Sequence, residues 1–461
     1  MSRPPHPQVY EPLRFFPVPK ISNTLFALLF HSIVAAMSDL IQLDQVGYKI
    51  PNEDAVFQRE RVSDLLKTRS LAFPGAQPVS FSRRHIRALQ ESDYYLCEKT
   101  DGIRCLLYLT FTLESNPETG DNFEKESVFL IDRKNDYYYI TEAALHFPLP
   151  ERPPDTYHRG TLVDGELVMD IEPDGRRVRR YLVFDCLALD GKPLLDRTLD
   201  KRIGYFDLNV LKPYNKLLDA FPEEREHQPF EVVMKKMEKA YGIRMLFDDV
   251  LPNLPHGNDG LVFTRRDTSY VTGTDQNIIK WKPPNENTID FRLQIGLFPP
   301  LDDSEDEANV PAGGIDGHDY QPDYDACPAM SLLVFKGNGK NEHFDDLYVT
   351  DSEWTSMKSV NQMVDGRIIE CHKDGQGRWR FKREKDGTPR FRDDKTEANH
   401  ISTVNSVLQS IEDAVSQEDL LSHDNAIKRK WKEREELMRK RMMEEEKLRR
   451  DAEARKRAAA A

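Results

Sequence analysis

This chain of 461 residues has little cysteine. Its five thiols, Cys97, Cys105, Cys186, Cys327 and Cys371, are widely spaced and odd in number. They form neither a paired metal-ligand spacing nor a disulfide framework, which points to a reducing compartment. Long apolar runs are also missing. The one near the start, Leu25 to Met37, contains His31 and Ser32 and is too short to span a bilayer. The scattered aspartates show no calcium-loop spacing. Cys371 precedes His372 and no phosphatase loop follows it. Heptads are not sustained, so no coiled coil is expected. The formal net charge of −14 argues against indiscriminate coating of nucleic acid, though it leaves room for a local basic groove.

What is present is enough for two or three folded domains, with 39% hydrophobic and 31% charged residues. Residues 1–37 are rich in proline and are expected to be an unstructured extension. A cleaved signal peptide, or a working protein that begins at Met37, are the alternatives for that segment. Residues 38–288 read as a mixed α/β domain. Helices are expected at Glu53 to Lys67, Arg83 to Leu89, Arg197 to Leu218 and Phe230 to Ala240, with strands filling 94–185. Strand patterning restarts at Asp290 and defines a second domain over 289–400. Its stretch 301–327 has nine acidic residues and no lysine or arginine and reads as a disordered insertion. Residues 401–461 read as a helix followed by a charged helical tail.

Chemistry-bearing residues fall at strand ends. Lys99-Thr100-Asp101-Gly102 sits between the apolar runs Tyr94 to Leu96 and Cys105 to Leu109. A lysine amine becomes a nucleophile only when it sheds its proton, and a nearby carboxylate alone would hold that proton on. By themselves these residues fit a charged surface turn better. Asp164-Gly165-Glu166 interrupts the strand Thr161 to Val168, where Glu166 lines a cleft or tips a hairpin. Asp259-Gly260 enters the strand Leu261 to Phe263. Lys280 and Lys282 flank Trp281, so on a strand the two cations share one face. They mark an anion site or a solvated face. Arg390-Phe391-Arg392-Asp393-Asp394-Lys395 alternates cations around an aromatic, which suits a phosphate grip or a charged surface strand.

Together these stretches, with Val128 to Arg133 and Tyr181 to Asp185, come in the motif order of the eukaryotic messenger-RNA guanylyltransferases, the capping enzymes. The chain resembles that family, above all its fungal form, over about 38–415. The family belongs to the covalent nucleotidyltransferases, together with DNA and RNA ligases. The resemblance implies an α/β (α+β) nucleotidyltransferase domain with mixed or antiparallel sheets, then an OB-fold β-barrel domain, then the charged helical tail. It implies that Lys99 attacks the α-phosphate of GTP and carries GMP. Arg104 and Glu166 would contact the ribose, and Phe184 would stack on guanine. Lys280 and Lys282 would hold the α-phosphate and ease deprotonation of Lys99. Glu166 and Asp259 would meet Mg²⁺ or Mn²⁺, and Arg390, Arg392, Asp394 and Lys395 would close over the β- and γ-phosphates.

The implied partners are 5′-diphosphate RNA, a separate RNA 5′-triphosphatase subunit and the phosphorylated C-terminal repeats of RNA polymerase II. The implied place is the nucleus, with no membrane. One departure stands out: Trp379 lies eleven residues before Arg390, farther than the family pattern has it. The alternatives are an ATP-dependent RNA or DNA ligase, and a catalytically silent scaffold that binds RNA or polymerase.

Overall fold

The computed structural model describes residues 41–116, 119–140, 145–301, 321–360, 362–384 and 386–460. The expected extension over 1–37 and the acidic stretch 302–320 lie outside the described residues. The chain leaves at Leu301 and returns at Gln321, whose carbonyl accepts the Leu301 N–H at 2.9 Å.

In chain order the strands begin with β1 (Tyr48–Lys49), β2 (Ala76–Ser80), β3 (Tyr94–Thr100), β4 (Ile103–Ser115), β5 (Asn122–Asp132) and β6 (Tyr137–Ile140). They continue with β7 (Thr161–Ile171), β8 (Arg177–Leu189), β9 (Lys192–Pro193), β10 (Glu231–Met234), β11 (Glu238–Lys239), β12 (Asn258–Arg265) and β13 (Gly273–Trp281). One sheet runs β1-β6-β5-β4-β7-β8-β10, and a second runs β11-β3-β12-β13-β2. Most pairs are antiparallel, but β10 lies parallel to β8 and β13 parallel to β2, so the expected mixed sheets are present.

Residues Cys105 to Leu109 show no polar alternation because both faces of β4 are covered. Cys105, Leu107 and Leu109 face a cluster with Phe206, Val210 and Tyr214, whereas Leu106 and Tyr108 face Val62, Leu66 and Tyr270. β3 and β4 are neighbours in sequence but belong to different sheets. The chain changes sheets at Asp101-Gly102, which puts Lys99 at the junction between them.

Two local expectations are corrected. Phe230 to Ala240 is not a helix; it forms β10 and β11, because Phe230 and Val232 bury themselves as β10 adds to the sheet's edge beside β8. Asp164-Gly165 does not interrupt its strand either. β7 passes through it with a bulge, and Gly165 is needed because a Cβ there would lie 2.5 Å from the Tyr181 ring.

The remaining strands are β14 (Ile289–Ile295), β15 (Met330–Gly337), β16 (Lys340–Asp346), β17 (Ile368–Lys373) and β18 (Trp379–Phe381), in the order β16-β15-β14-β17-β18. This is an open sheet, and the expected OB-fold β-barrel is not supported. β18 has three residues, and it has no ladder with β16: a single bridge joins Trp379 to Leu347, just past the end of β16. β16 is almost wholly exposed and charged, so its residues stay in water instead of laddering onto β18. Trp379 itself is core, packed at 5.0 Å on Phe291 with its indole N–H donating to Asp345 at 3.0 Å. Its distance in sequence from Arg390 therefore reflects a place in this sheet's core.

The last helices are Ile401–Glu412, Gln417–Ser422 and Asp424–Ala460. The first packs on the C-terminal sheet, with Val404 in its core, and the chain beyond it returns to the second sheet. Trp281 donates to the Val415 carbonyl at 2.8 Å, and Val415, Leu420 and Ile427 join the cluster that holds Leu96, Leu261 and Ile279. Trp431 is fully buried against Tyr95 and Tyr241. Beyond it Leu437, Met438 and Met442 are exposed, so the charged helix leaves the body there.

Candidate active site

The junction between the two sheets encloses a cavity of about 220 Å³. Lys99, Arg104, Glu166, Phe184 and Lys280 line it, together with Gln77, Arg133, Asp164, Lys235 and Tyr270. Lys99 lies next to the end of β3, and its Nζ donates to Asp259 Oδ1 at 2.6 Å. Asp259 reaches it because β12 bulges between Asn258 and Leu261. Gly260 sits at φ 142° in that bulge, and any Cβ there would lie 2.1 Å from the Trp281 carbonyl oxygen. The second Asp259 oxygen binds Lys282 at 2.7 Å. Burial pushes the Asp259 carboxyl up, but Lys282 and Lys99 outweigh it and hold it below the usual carboxylate range.

Trp281 points into the core while Lys280 faces the cavity, as strand alternation requires. Among the described residues Lys280 has no carboxylate partner. Burial, and the charges of Lys282, Lys99 and Arg133, lower its pKa. A half-desolvated, unneutralised ammonium next to a lysine-carboxylate pair favours binding of an anion.

Glu166 lies opposite Arg104 in register, and burial raises its pKa against the pull of Lys235 and Lys99. Arg104 is more committed than its expected ribose role implies. Its fork grips Asp164 at 3.1 and 2.7 Å, a third donor reaches the Ala76 carbonyl, and its guanidinium lies 5.5 Å from the Phe184 ring. Asp164 also accepts from the Tyr270 hydroxyl at 2.6 Å.

The final-motif residues stand elsewhere. Arg390 pairs with Glu384 at 2.9 Å, Arg392 with Asp394 at 2.8 Å and Asp290 at 3.4 Å, and Lys395 with Asp290. None of the four lines the cavity.

Sequence reasoning missed a buried ionic group beneath Lys99. Lys235 is 4% exposed, donates to the Thr100 hydroxyl and sits 3.3 Å from Glu98. Reading Val232-Val233 as a strand would have exposed it, since the cation ends a β-branched run. His256 lies between Asp170 at 2.7 Å and Glu98 at 3.7 Å. Burial alone would lower its pKa, yet Asp170 and Glu98 raise it to about 9. Because the folded-state value is raised, the stabilisation is complete below the ordinary histidine range and is lost as pH rises through about 9. We expect the difference in unfolding free energy between the unaltered chain and His256→Asn to shrink by up to about 3 kcal/mol from pH 6 to pH 10. Urea denaturation at several pH values measures it, and a gap that stays constant would show that His256 is not a charged bridge.

A cation-lined cavity between two sheets, with a lysine amine at its junction, suits a nucleotidyltransferase. Family models agree: residues 42–284 match the mRNA capping enzyme, catalytic domain, and residues 286–421 match the mRNA capping enzyme, C-terminal domain. The chain belongs to the mRNA capping enzyme family. It is 47% identical to the mRNA-capping enzyme subunit alpha of Neurospora crassa, over 84% of this chain and 92% of that one. It is 44% identical to the protein of that name from Schizosaccharomyces pombe, over 83% and 87% of the two chains. For the protein of Saccharomyces cerevisiae the identity is 37%, over 78% and 80%. The chain is an enzyme, a GTP-dependent mRNA guanylyltransferase. No helix among the described residues is long and apolar enough to cross a membrane.

Proposed function

We propose that Lys99 carries GMP between GTP and the 5′-diphosphate end of nascent RNA. Lys99 Nζ attacks the α-phosphorus, a P–N bond forms, the α–β P–O bond breaks, and pyrophosphate leaves with the electron pair. The proton that Lys99 sheds passes to Asp259 and on to water; Asp259, held by Lys282, is too weak a base to keep it. In the second step a β-phosphate oxygen of the RNA attacks the same phosphorus, the P–N bond breaks, and the amine is reprotonated. Lys280 supplies charge where the α-phosphate sits, and its lack of a carboxylate partner is the observation that carries this reading.

Phe184 offers its ring to the base and Glu166 its carboxyl to the ribose. Lys235 has only donors to present, which favours guanine's carbonyl oxygen over adenine's amino group. Among the described residues no group of three or more His, Cys, Asp or Glu is placed to hold a metal. Glu166 and Asp259 provide two carboxylates, which suits Mg²⁺ or Mn²⁺ arriving with the nucleotide, since such ions take most of their ligands from phosphates and water. Bound there, the ion would neutralise charge on the departing pyrophosphate. For Arg392 and Lys395 to close over the β- and γ-phosphates, they would have to release Asp290.

The family supports a nuclear enzyme acting on transcripts of RNA polymerase II with phosphorylated C-terminal repeats. The relatives' designation as a subunit supports a separate partner, the RNA 5′-triphosphatase. The test is to incubate the chain with α-labelled GTP or ATP and a divalent metal, denature it, and look for protein-bound label. Label from GTP that diphosphate-ended RNA discharges is the expected result. Label from ATP alone would make the chain a ligase, and no label from either would leave a silent scaffold.

A further inference from the structure

The nucleotide cavity has a neighbour. An open groove runs along Val56, Arg59, Leu71, Phe73, Arg133 and Lys134, and Gln77 and Arg133 line both it and the cavity. The two spaces therefore share a wall.

The groove's charge is unlike that of the whole chain. On a protein of net charge −14, its lining contains two arginines and one lysine and no acidic residue. Among the described residues none of the three cations pairs with a carboxylate. Arg59 donates to the Asn135 carbonyl at 3.1 and 2.9 Å and to the Asn52 amide oxygen at 3.1 Å, all of them neutral acceptors. Arg133 donates to the Gln77 side chain at 3.1 Å, and Lys134 is exposed. The nearby Asp132 turns its carboxylate to the backbone N–H groups of Lys134 and Asp136, at 2.9 and 2.8 Å.

Apolar surface lies between the cations. Leu71 is 45% and Val56 38% exposed, and the Phe73 ring lies against Gly75, where a Cβ would sit 2.1 Å from it. Cations spaced along an apolar floor are the pattern of a surface that follows a single strand, with phosphates on the charges and bases on the apolar side chains.

We infer that this groove holds the first nucleotides of the acceptor RNA, feeding its 5′-diphosphate past Arg133 and Gln77 to the GMP on Lys99. The inference rests on the guanylyltransferase reading. It adds a place for the second substrate, which the nucleotide cavity is too small to hold. A duplex is too wide for a site that must deliver one strand end to a half-buried amine inside the cavity, so the ligand is single-stranded.

The test uses the full chain with Lys134→Glu and, separately, Leu71→Glu, both at exposed positions that line the groove and not the cavity. Each variant is first loaded with label from GTP, then discharged with pyrophosphate, with a 5′-diphosphate mononucleotide, or with a 5′-diphosphate RNA of about ten nucleotides. Loading and discharge by pyrophosphate should stay within about twofold of the unaltered chain. Transfer to the longer RNA should fall about tenfold at sub-saturating RNA for Lys134→Glu, with a shallower salt dependence and a smaller effect on the mononucleotide. Equal transfer to long RNA by both variants and the unaltered chain would overturn the groove assignment. A loss equal for RNA and pyrophosphate would overturn it as well, because it would place the defect at Lys99. Failure of the unaltered chain to load at all would instead sink the guanylyltransferase reading.

Discussion

Lys99→Ala is expected to abolish protein-bound GMP, with covalent labelling falling by at least about 10⁴-fold. On the proposed role the loss is chemical, because the amine that would form the P–N bond is removed while the neighbouring cations Lys280 and Lys282 stay in place. Lys99 is 26% exposed and contributes one partner to Asp259, which keeps Lys282 at 2.7 Å in the variant. The folded state should therefore survive, and a thermal melt within a few degrees of the parent checks this. Lys99→Arg separates two roles. A guanidinium can replace the charge beside Asp259 but does not give up its proton at working pH, so it cannot attack phosphorus. If Lys99 only held phosphate, Arg would restore labelling in large part. If it is the nucleophile, Arg is as dead as Ala, and that is the expected outcome.

The second large effect is on stability. Arg202→Met should destabilise the fold by about 3–5 kcal/mol, because it leaves one partner of a buried ion pair alone. Arg202 grips Asp185 with two bonds of 2.6 and 2.8 Å, and the two side chains are 3% and 5% exposed. Its other amine donates to the carbonyls of Arg197 and of Thr268, the latter at 2.9 Å. Asp185 follows Phe184 on β8, so the pair also ties the nucleotide cavity to the loop that carries Tyr270.

The sign with pH can be stated. Burial raises the Asp185 pKa even with Arg202 present, and removing Arg202 raises it further. A carboxyl with a raised folded-state pKa favours the folded state when protonated and disfavours it as pH climbs through that value. The loss in Arg202→Met should thus be larger at pH 8 than at pH 5, as read by urea denaturation. Arg202→Met combined with Asp185→Asn should recover part of it. An equal loss at both pH values would mean that packing, not the stranded charge, is the cause.

Some of this was legible in the residues alone. Lys99, Glu166, Phe184 and Lys280 stand at strand ends or on strand faces, where period-two alternation fixes direction, and all four do face one cavity. Lys282 and Asp259 were also recognisable as candidates, although their pairing with each other and with Lys99 was not. The last motif was legible as a charged strand, yet it is engaged with Asp290, Glu370 and Glu384 away from the cavity. Composition cannot say which carboxylate a given arginine will find.

The sequence by itself determined the family: a lysine between two apolar strands, a paired-lysine strand, and the order of motifs that marks the capping enzymes. It did so because those features depend on residue type and short spacing. Tertiary structure decided the rest. It brought Lys235 and His256 to Glu98, next to Lys99, and kept the C-terminal sheet open. It folded the residues around Val415 and Trp431 back onto the second sheet, and it left a cationic groove beside the cavity. Each of these arises from contacts between segments far apart in the chain. Such contacts depend on how apolar faces and buried charges are satisfied together, which no local pattern records.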